Sequence, residues 1–250
     1  MFGAIIGAVC AIGGAIASFV GSVGTAVASI GSAIGSAIAA VGPALSKFAK
    51  PVIECFKGLI ARFPDLDIDR LKVLIETTMK IVHAVMDILG INKHQMSQEE
   101  IGERALQNPE IKPEDYDTME EYLDALHAGK YEQGKRPDGI SDDAWKAMCQ
   151  VVGTGLEVKA ISEKMKMATP LTFFCDCAKA GLSAKDVIDG KGGGVLEKMR
   201  ENGVTDAMEF SKYVSADSCG RSMEAAMQGF VAPETGLTSA QMIENYASNK

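Results

Sequence analysis

Charge is missing from the first 46 residues of this 250-residue chain, and all 58 Asp, Glu, Lys and Arg side chains lie between Lys47 and Lys250. A soluble globule carries charge all over its surface, so this segment is not the opening of an ordinary one. An excess of basic residues is missing too. The net charge of −8 excludes a nucleic-acid binder held by phosphate contacts. Aromatic residues make up 6%, with a single Trp, which leaves little for base stacking or a β-rich core. Histidine occurs three times, as His83, His94 and His127, and neither HxxxH nor CxxC is present, so metal binding and His-based catalysis have few residues to draw on. Six cysteines at irregular spacing are too few for a disulfide scaffold.

What the uncharged segment holds is small residues and β-branched ones. Phe2 to Gly42 contains nine Gly, eleven Ala, five Ser, seven Ile and five Val, with no Leu and no Met. Ile5, Val9, Ile12, Ile16, Val20, Val23, Val27, Ile30, Ile34, Ile38 and Val41 recur at a mean spacing of 3.6, the helical period. Ile5, Ile16, Val27 and Ile38 also stand eleven apart, a repeat that keeps a stripe nearly straight. Gly7, Gly14, Gly21, Ala28, Gly35 and Gly42 form a second row spaced by seven, with Gly3, Ala17, Gly24 and Gly31 between. One face of the expected helix is therefore almost bare backbone. Each Gly weakens an isolated helix by about 1 kcal/mol relative to Ala, so the segment requires something packed on that face. Small-xxx-small rows such as Gly3/Gly7 and Gly31/Gly35 are how helices approach closely in lipid.

A hydrocarbon core takes about 20 helical residues, and this stretch holds roughly twice that. Two antiparallel spans, about 2–20 and 26–45, turn near Gly21-Ser22-Val23-Gly24-Thr25. The unbroken phase through those residues suits one continuous helix equally well. The start lacks Lys and Arg and the apolar stretch outruns a signal-peptide core, so no usual signal peptide is expected. Gly, Ala and Ser are weakly hydrophobic and no aromatic belt flanks the segment. A water-soluble helix buried by copies of itself in a tube, fibre or particle is therefore the alternative.

Lys47, Lys50, Lys57 and Arg62 follow against Glu54 alone, a basic collar placed where anionic headgroups would lie. Gly42-Pro43 is expected to stop or kink the preceding helix, and an amphipathic helix is expected from about Pro51 to Phe63. Asp65, Asp67, Asp69 and Glu76 mimic the carboxylate spacing of a calcium loop. Arg70 occupies the place of its invariant Gly, however, so acidic residues opening a helix over roughly 67–89 are the expected account.

Beyond Ser97 the chain reads as short capped helices. Ser97, Thr118, Ser141, Ser183, Thr205 and Thr238 open helices, Pro170 starts another, and Gly90, Gly129 and Gly181 close three. No strand alternation is present. Residues 95–150 hold 14 acids against 6 bases, expected to be a solvated acidic face. Gly190-Lys191-Gly192-Gly193-Gly194 lacks the phosphate-loop spacing and is expected to be an inter-helix loop. Cys149, Cys177 and Cys219 are expected to be buried apolar residues. No nucleophile motif occurs, so no catalytic residue, metal or cofactor is expected.

The glycine-zipper segment is similar in kind to hydrophobic elements of α-helical pore-forming toxins, secretion translocators and phage DNA-ejection proteins. The expected fold is all-α: a long glycine-zipper helix or helical hairpin (1–46), a basic collar with amphipathic helices (47–94), and an acidic multi-helix body (95–250). The expected action is self-assembly into a membrane pore or conduit, with the chain itself and membrane lipid as partners and no nucleic acid or small-molecule substrate. Gly3, Gly7, Gly14, Gly21, Gly24, Gly31, Gly35 and Gly42 are assigned to helix packing. Ile5, Ile12, Ile16, Val23, Val27, Ile34 and Ile38 are assigned to the lipid or partner face, and Lys47, Lys50, Lys57 and Arg62 to headgroups. The location expected is a membrane, or a secreted or viral assembly.

Overall fold

A computed structural model describes residues 43–62, 68–137, 142–179, 181–188, 194–201, 203 and 205–207. The glycine-zipper segment and the expected helix at Thr238 lie outside these residues, as do Cys219 and Gly190 to Gly193. Among the described residues the fold is all-α: α1 (Pro43–Arg62), α2 (Ile68–Ile88), α3 (Gln98–Gln107), α4 (Met119–Ala128), α5 (Asp142–Met165), α6 (Leu171–Lys179), α7 (Ala184–Val187) and α8 (Val195–Glu201), with a 3-10 turn at Pro113–Asp115. None of these helices is long and apolar enough to cross a membrane. The described chain divides into two compact units, residues 43–72 with 94–157 and residues 73–93 with 158–207.

In the first unit α1 runs from Pro43 to Arg62 as one helix and not from Pro51 as the sequence suggested. Pro43 is the first described residue of this helix, and the expected stop or kink of the preceding segment lies outside the described residues. Its inner stripe is Leu45, Phe48, Ala49, Val52, Ile53, Cys55, Phe56 and Leu59. Glycines then let backbones meet. A Cβ on Gly102 of α3 would stand 1.8 Å from the Cys149 carbonyl oxygen of α5. One on Gly153 would meet the Gln98 carbonyl at 2.0 Å, and one on Gly155 the Phe48 carbonyl of α1 at 2.2 Å. Helix α5 thus carries two glycines that seat α3 and α1 against it, which also explains why helix-weakening residues are tolerated there.

Two of the expected caps form in this unit, while Ser141 lies outside the described residues. The Ser97 hydroxyl accepts the Glu100 N–H at 3.1 Å and the Thr118 hydroxyl accepts the Glu121 N–H at 3.2 Å. The Glu121 carboxylate departs from the usual box by accepting from Asp117 N–H, one residue earlier than expected.

In the second unit, Leu74, Thr78, Ile81, Val82, Val85 and Met86 of α2 are buried at helical spacing, and Val73 and Ile88 are exposed. Helix α2 covers Asp69 and Glu76, while Asp65 and Asp67 of the calcium-like spacing lie outside the described residues. Gly90 ends it at φ +68 with the Ile91 N–H donating to the Met86 carbonyl at 3.2 Å. Helix α6 is enclosed almost all round, burying Phe173, Phe174, Cys175 and Cys177 together with Asp176 and Lys179. Gly181 closes it at φ +76. Ser183 and Asp186 form a complete capping box on α7. Residues 205–207 pair in extended form with Ala168 through a single parallel bridge, leaving any helix after Thr205 outside the described residues.

Candidate functional site

Two places in the first unit gather polar chemistry. The first is the outer face of α1. Lys47, Lys50, Pro51, Glu54 and Gly58 are exposed and Lys57 is half-buried, at intervals of three and four that keep them on one stripe opposite the buried one. The basic collar therefore projects to solvent. Arg62 ends the helix, and its side chain lies outside the described residues. Lys50 pairs with Glu54 one turn on, at 3.8 Å. Lys47 reaches off its own helix to the Glu114 carboxylate of the 3-10 turn, Nζ to Oε1 3.0 Å, and lies 5.0 Å from the centre of the Phe48 ring. The Lys47 ammonium holds the Glu114 carboxyl below its usual range, chiefly through that hydrogen bond. Both side chains are about half exposed, at 47% and 48%, so the pair is screened by water and salt and is weakly held.

The second place is a cleft of about 630 Å³ where the starts of α3 and α5 meet the 131–136 loop. Its floor is Glu103, 5% exposed. Glu103 Oε1 accepts from Trp145 Nε1–H at 3.0 Å and from Gly134 N–H at 2.8 Å, and Oε2 accepts from the Tyr131 hydroxyl at 2.8 Å. Three donors offset the burial of a carboxylate that has no cation directly on it. Burial and the Glu103 bond together push the Tyr131 hydroxyl upward. Arg104, next on α3, stacks its guanidinium 4.0 Å over the Tyr131 ring and pairs with Glu100 at 2.8 Å. It also donates to the last carbonyls of α4 at Leu126 and His127. Gln107 ties the same loop at Glu132 and Lys135. At the rim, Lys146 meets Glu99 at 3.5 Å and Arg136 meets Asp142 at 2.5 Å. Every charged group of the cleft is thus matched within the protein. The arrangement is a clasp that fixes the 131–136 loop.

Sequence reasoning reached the collar and the caps but not the clasp. Glu103 looks like any acid in a helix, and its donors come from Tyr131, Gly134 and Trp145, far along the chain. It also missed the stacked rings of His94 and His127, centroids 3.9 Å apart, with His94 Nε2 2.9 Å from Asp124 Oδ1. No grouping of three or more His, Cys, Asp or Glu among the described residues is placed to hold a metal ion. Cys149 and Cys177 are fully buried, and desolvation raises both thiols well above the usual range, so neither is a reactive thiolate. The zipper positions from Gly3 to Gly42 and from Ile5 to Ile38 lie outside the described residues, so they are assigned from the sequence alone. No family model matches this chain, and no curated protein or solved structure matches it.

Proposed function

We propose that this chain is a membrane-inserting, self-assembling helical protein that forms a pore or conduit and acts by physical assembly, without catalysis. The observation that carries the proposal is the uncharged 46-residue segment, with its Ile/Val stripe and its glycine row both at helical spacing. Glycine faces of several copies, through Gly7, Gly14, Gly21 and Gly35, pack together, and Ile5, Ile16, Val27 and Ile38 meet lipid. Ser18, Ser22, Ser29, Ser32 and Ser36 supply the only polar lining besides Thr25, which makes the passage weakly selective.

The described body supports the reading in two ways. Among the residues whose burial is described, it keeps its large apolar side chains inside apart from Val73 and Ile88. Helix α1, whose first four residues belong to the uncharged segment, turns Lys47 and Lys50 outward. The lack of Trp or Tyr in residues 1–46 favours a second reading, a soluble subunit that builds a tube or particle through the same helix.

Release of dye trapped in anionic vesicles tests the first reading. The full chain releases dye, and Gly14→Leu with Gly21→Leu, which blocks close packing, abolishes release while vesicle binding persists. Regular particles in detergent-free buffer with no release by the unaltered chain establish the second reading in its place.

A further inference from the structure

Lys50 and Lys47 are neutralised differently. The counter-ion of Lys50 is Glu54 on its own helix, at 3.8 Å, and travels with it wherever α1 goes. The counter-ion of Lys47 is supplied by another element, at 3.0 Å. Glu114 is presented there by a short 3-10 turn whose first residue, Pro113, is buried and whose Asp115 N–H closes on the Lys112 carbonyl at 3.0 Å. The turn that carries Glu114 is therefore anchored, and Lys47 reaches across to its half-exposed carboxylate. Lys47 is also the charged residue closest in sequence to the uncharged segment. An anionic headgroup that engages the collar must displace Glu114 or share the ammonium with it, and the half-exposed pair is loose enough to exchange. Glu114 adds a negative charge at the surface that would face an anionic leaflet, so it opposes approach as well as occupying Lys47.

We propose that Glu114 is an internal competitor for the anionic lipid headgroup at Lys47, and that this pair sets how much anionic lipid a bilayer must contain before α1 docks on it. The proposal rests on the membrane reading given under Proposed function.

The test is partition of the full chain onto vesicles of phosphatidylcholine with increasing phosphatidylglycerol, for the unaltered protein and the variants Glu114→Gln, Lys47→Gln, the double variant and Glu132→Gln. Glu132 is an exposed carboxylate paired with Lys135 away from α1, so it controls for net charge. Freeing Lys47 raises the partition coefficient of Glu114→Gln about fivefold, which corresponds to the roughly 1 kcal/mol that one basic side chain is worth at an anionic surface. The anionic fraction needed for half-binding falls accordingly. Glu132→Gln shows no comparable gain, and the double variant binds no better than Lys47→Gln. Equal binding by Glu114→Gln and the unaltered chain overturns the competitor. So does an equal gain from Glu132→Gln, or a gain that persists without Lys47. Failure of every chain to bind at any composition removes the membrane reading itself, and the competitor with it.

Discussion

Replacing Gly102 with Ala is the sharpest probe of how the first unit is held together. In an exposed helix the exchange would stabilise by about 1 kcal/mol, since Gly is the poorer helix former. At Gly102 the added methyl would stand 1.8 Å from the Cys149 carbonyl oxygen and within 3 Å of two further Cys149 backbone atoms, where no rotamer can relieve the clash. Helix α3 must move away from α5 by more than an ångström. That shift also loosens the Gly153 contact with Gln98 and lengthens the Trp145 bond to Glu103. Overpacking of this kind costs about 1–3 kcal/mol, and contact with rigid backbone places it at the upper end. Less the propensity gain, the net loss is about 2 kcal/mol, equivalent to roughly 4–8 °C in Tm for a chain of this size. The single Trp of the chain lies in that interface, so thermal unfolding followed by Trp145 fluorescence reads the unit directly. Gly58→Ala on the open face of α1, where nothing lies within 4 Å, supplies the opposite sign and raises stability by about 0.5–1 kcal/mol. A Tm for Gly102→Ala equal to or above that of the unaltered protein would refute the close approach of α3 and α5.

Other perturbations follow from the same contacts. Glu103→Leu leaves the Trp145 N–H buried without an acceptor and takes one from the part-buried Gly134 N–H, costing about 2–3 kcal/mol, whereas Glu103→Gln keeps an oxygen for them and costs markedly less; urea unfolding of both variants measures the difference. Tyr122 is fully buried and its hydroxyl has no hydrogen-bond partner among the described residues, so Tyr122→Phe is neutral or stabilising by about 1 kcal/mol in the same assay. Desolvation holds the Tyr122 hydroxyl and the Cys149 and Cys177 thiols protonated in the folded state, above their ordinary values. The unfolded chain gives up those protons first. Stability therefore falls by about 1.4 kcal/mol per pH unit for each group once pH exceeds that group's ordinary value, about 9 for the thiols and about 10 for the tyrosine, which urea midpoints between pH 7 and 11 test. The Glu114 carboxyl, held low by Lys47, contributes in the opposite direction: its share is present at neutral pH and is lost as pH falls below the ordinary glutamate range.

Much of the helical body was legible because its signals are local. Ser97, Thr118 and Ser183 cap the helices expected of them, Gly90 and Gly181 take the left-handed conformation that closes a helix, and α2 spans 68–88 where its apolar stripe begins and ends. The start of α1 was misjudged because Pro51, which can begin a helix, lies inside one that is already helical at Pro43. The clasp at Glu103 and the stacked His94 and His127 were hidden because each joins residues from separate elements, and an acid or histidine in a helical pattern carries no mark of a distant partner. Gly153 and Gly155 read as weak points of a helix until α1 and α3 are laid against them. Of the collar, the helix expected from about Pro51 took in Lys57 but not Lys47 or Lys50, and the Lys47 bond to Glu114 had no sequence signature.

Flotation with anionic liposomes tests the central claim most directly, comparing the full chain with the variant carrying Ile16→Asp and Ile34→Asp. Charge at those two positions makes burial in hydrocarbon prohibitive and leaves the described body untouched. The account predicts that the unaltered chain rises with the liposomes and the variant stays at the bottom of the gradient. An unaltered chain that remains at the bottom, or a doubly charged variant that floats equally well, would contradict a membrane role for residues 1–46.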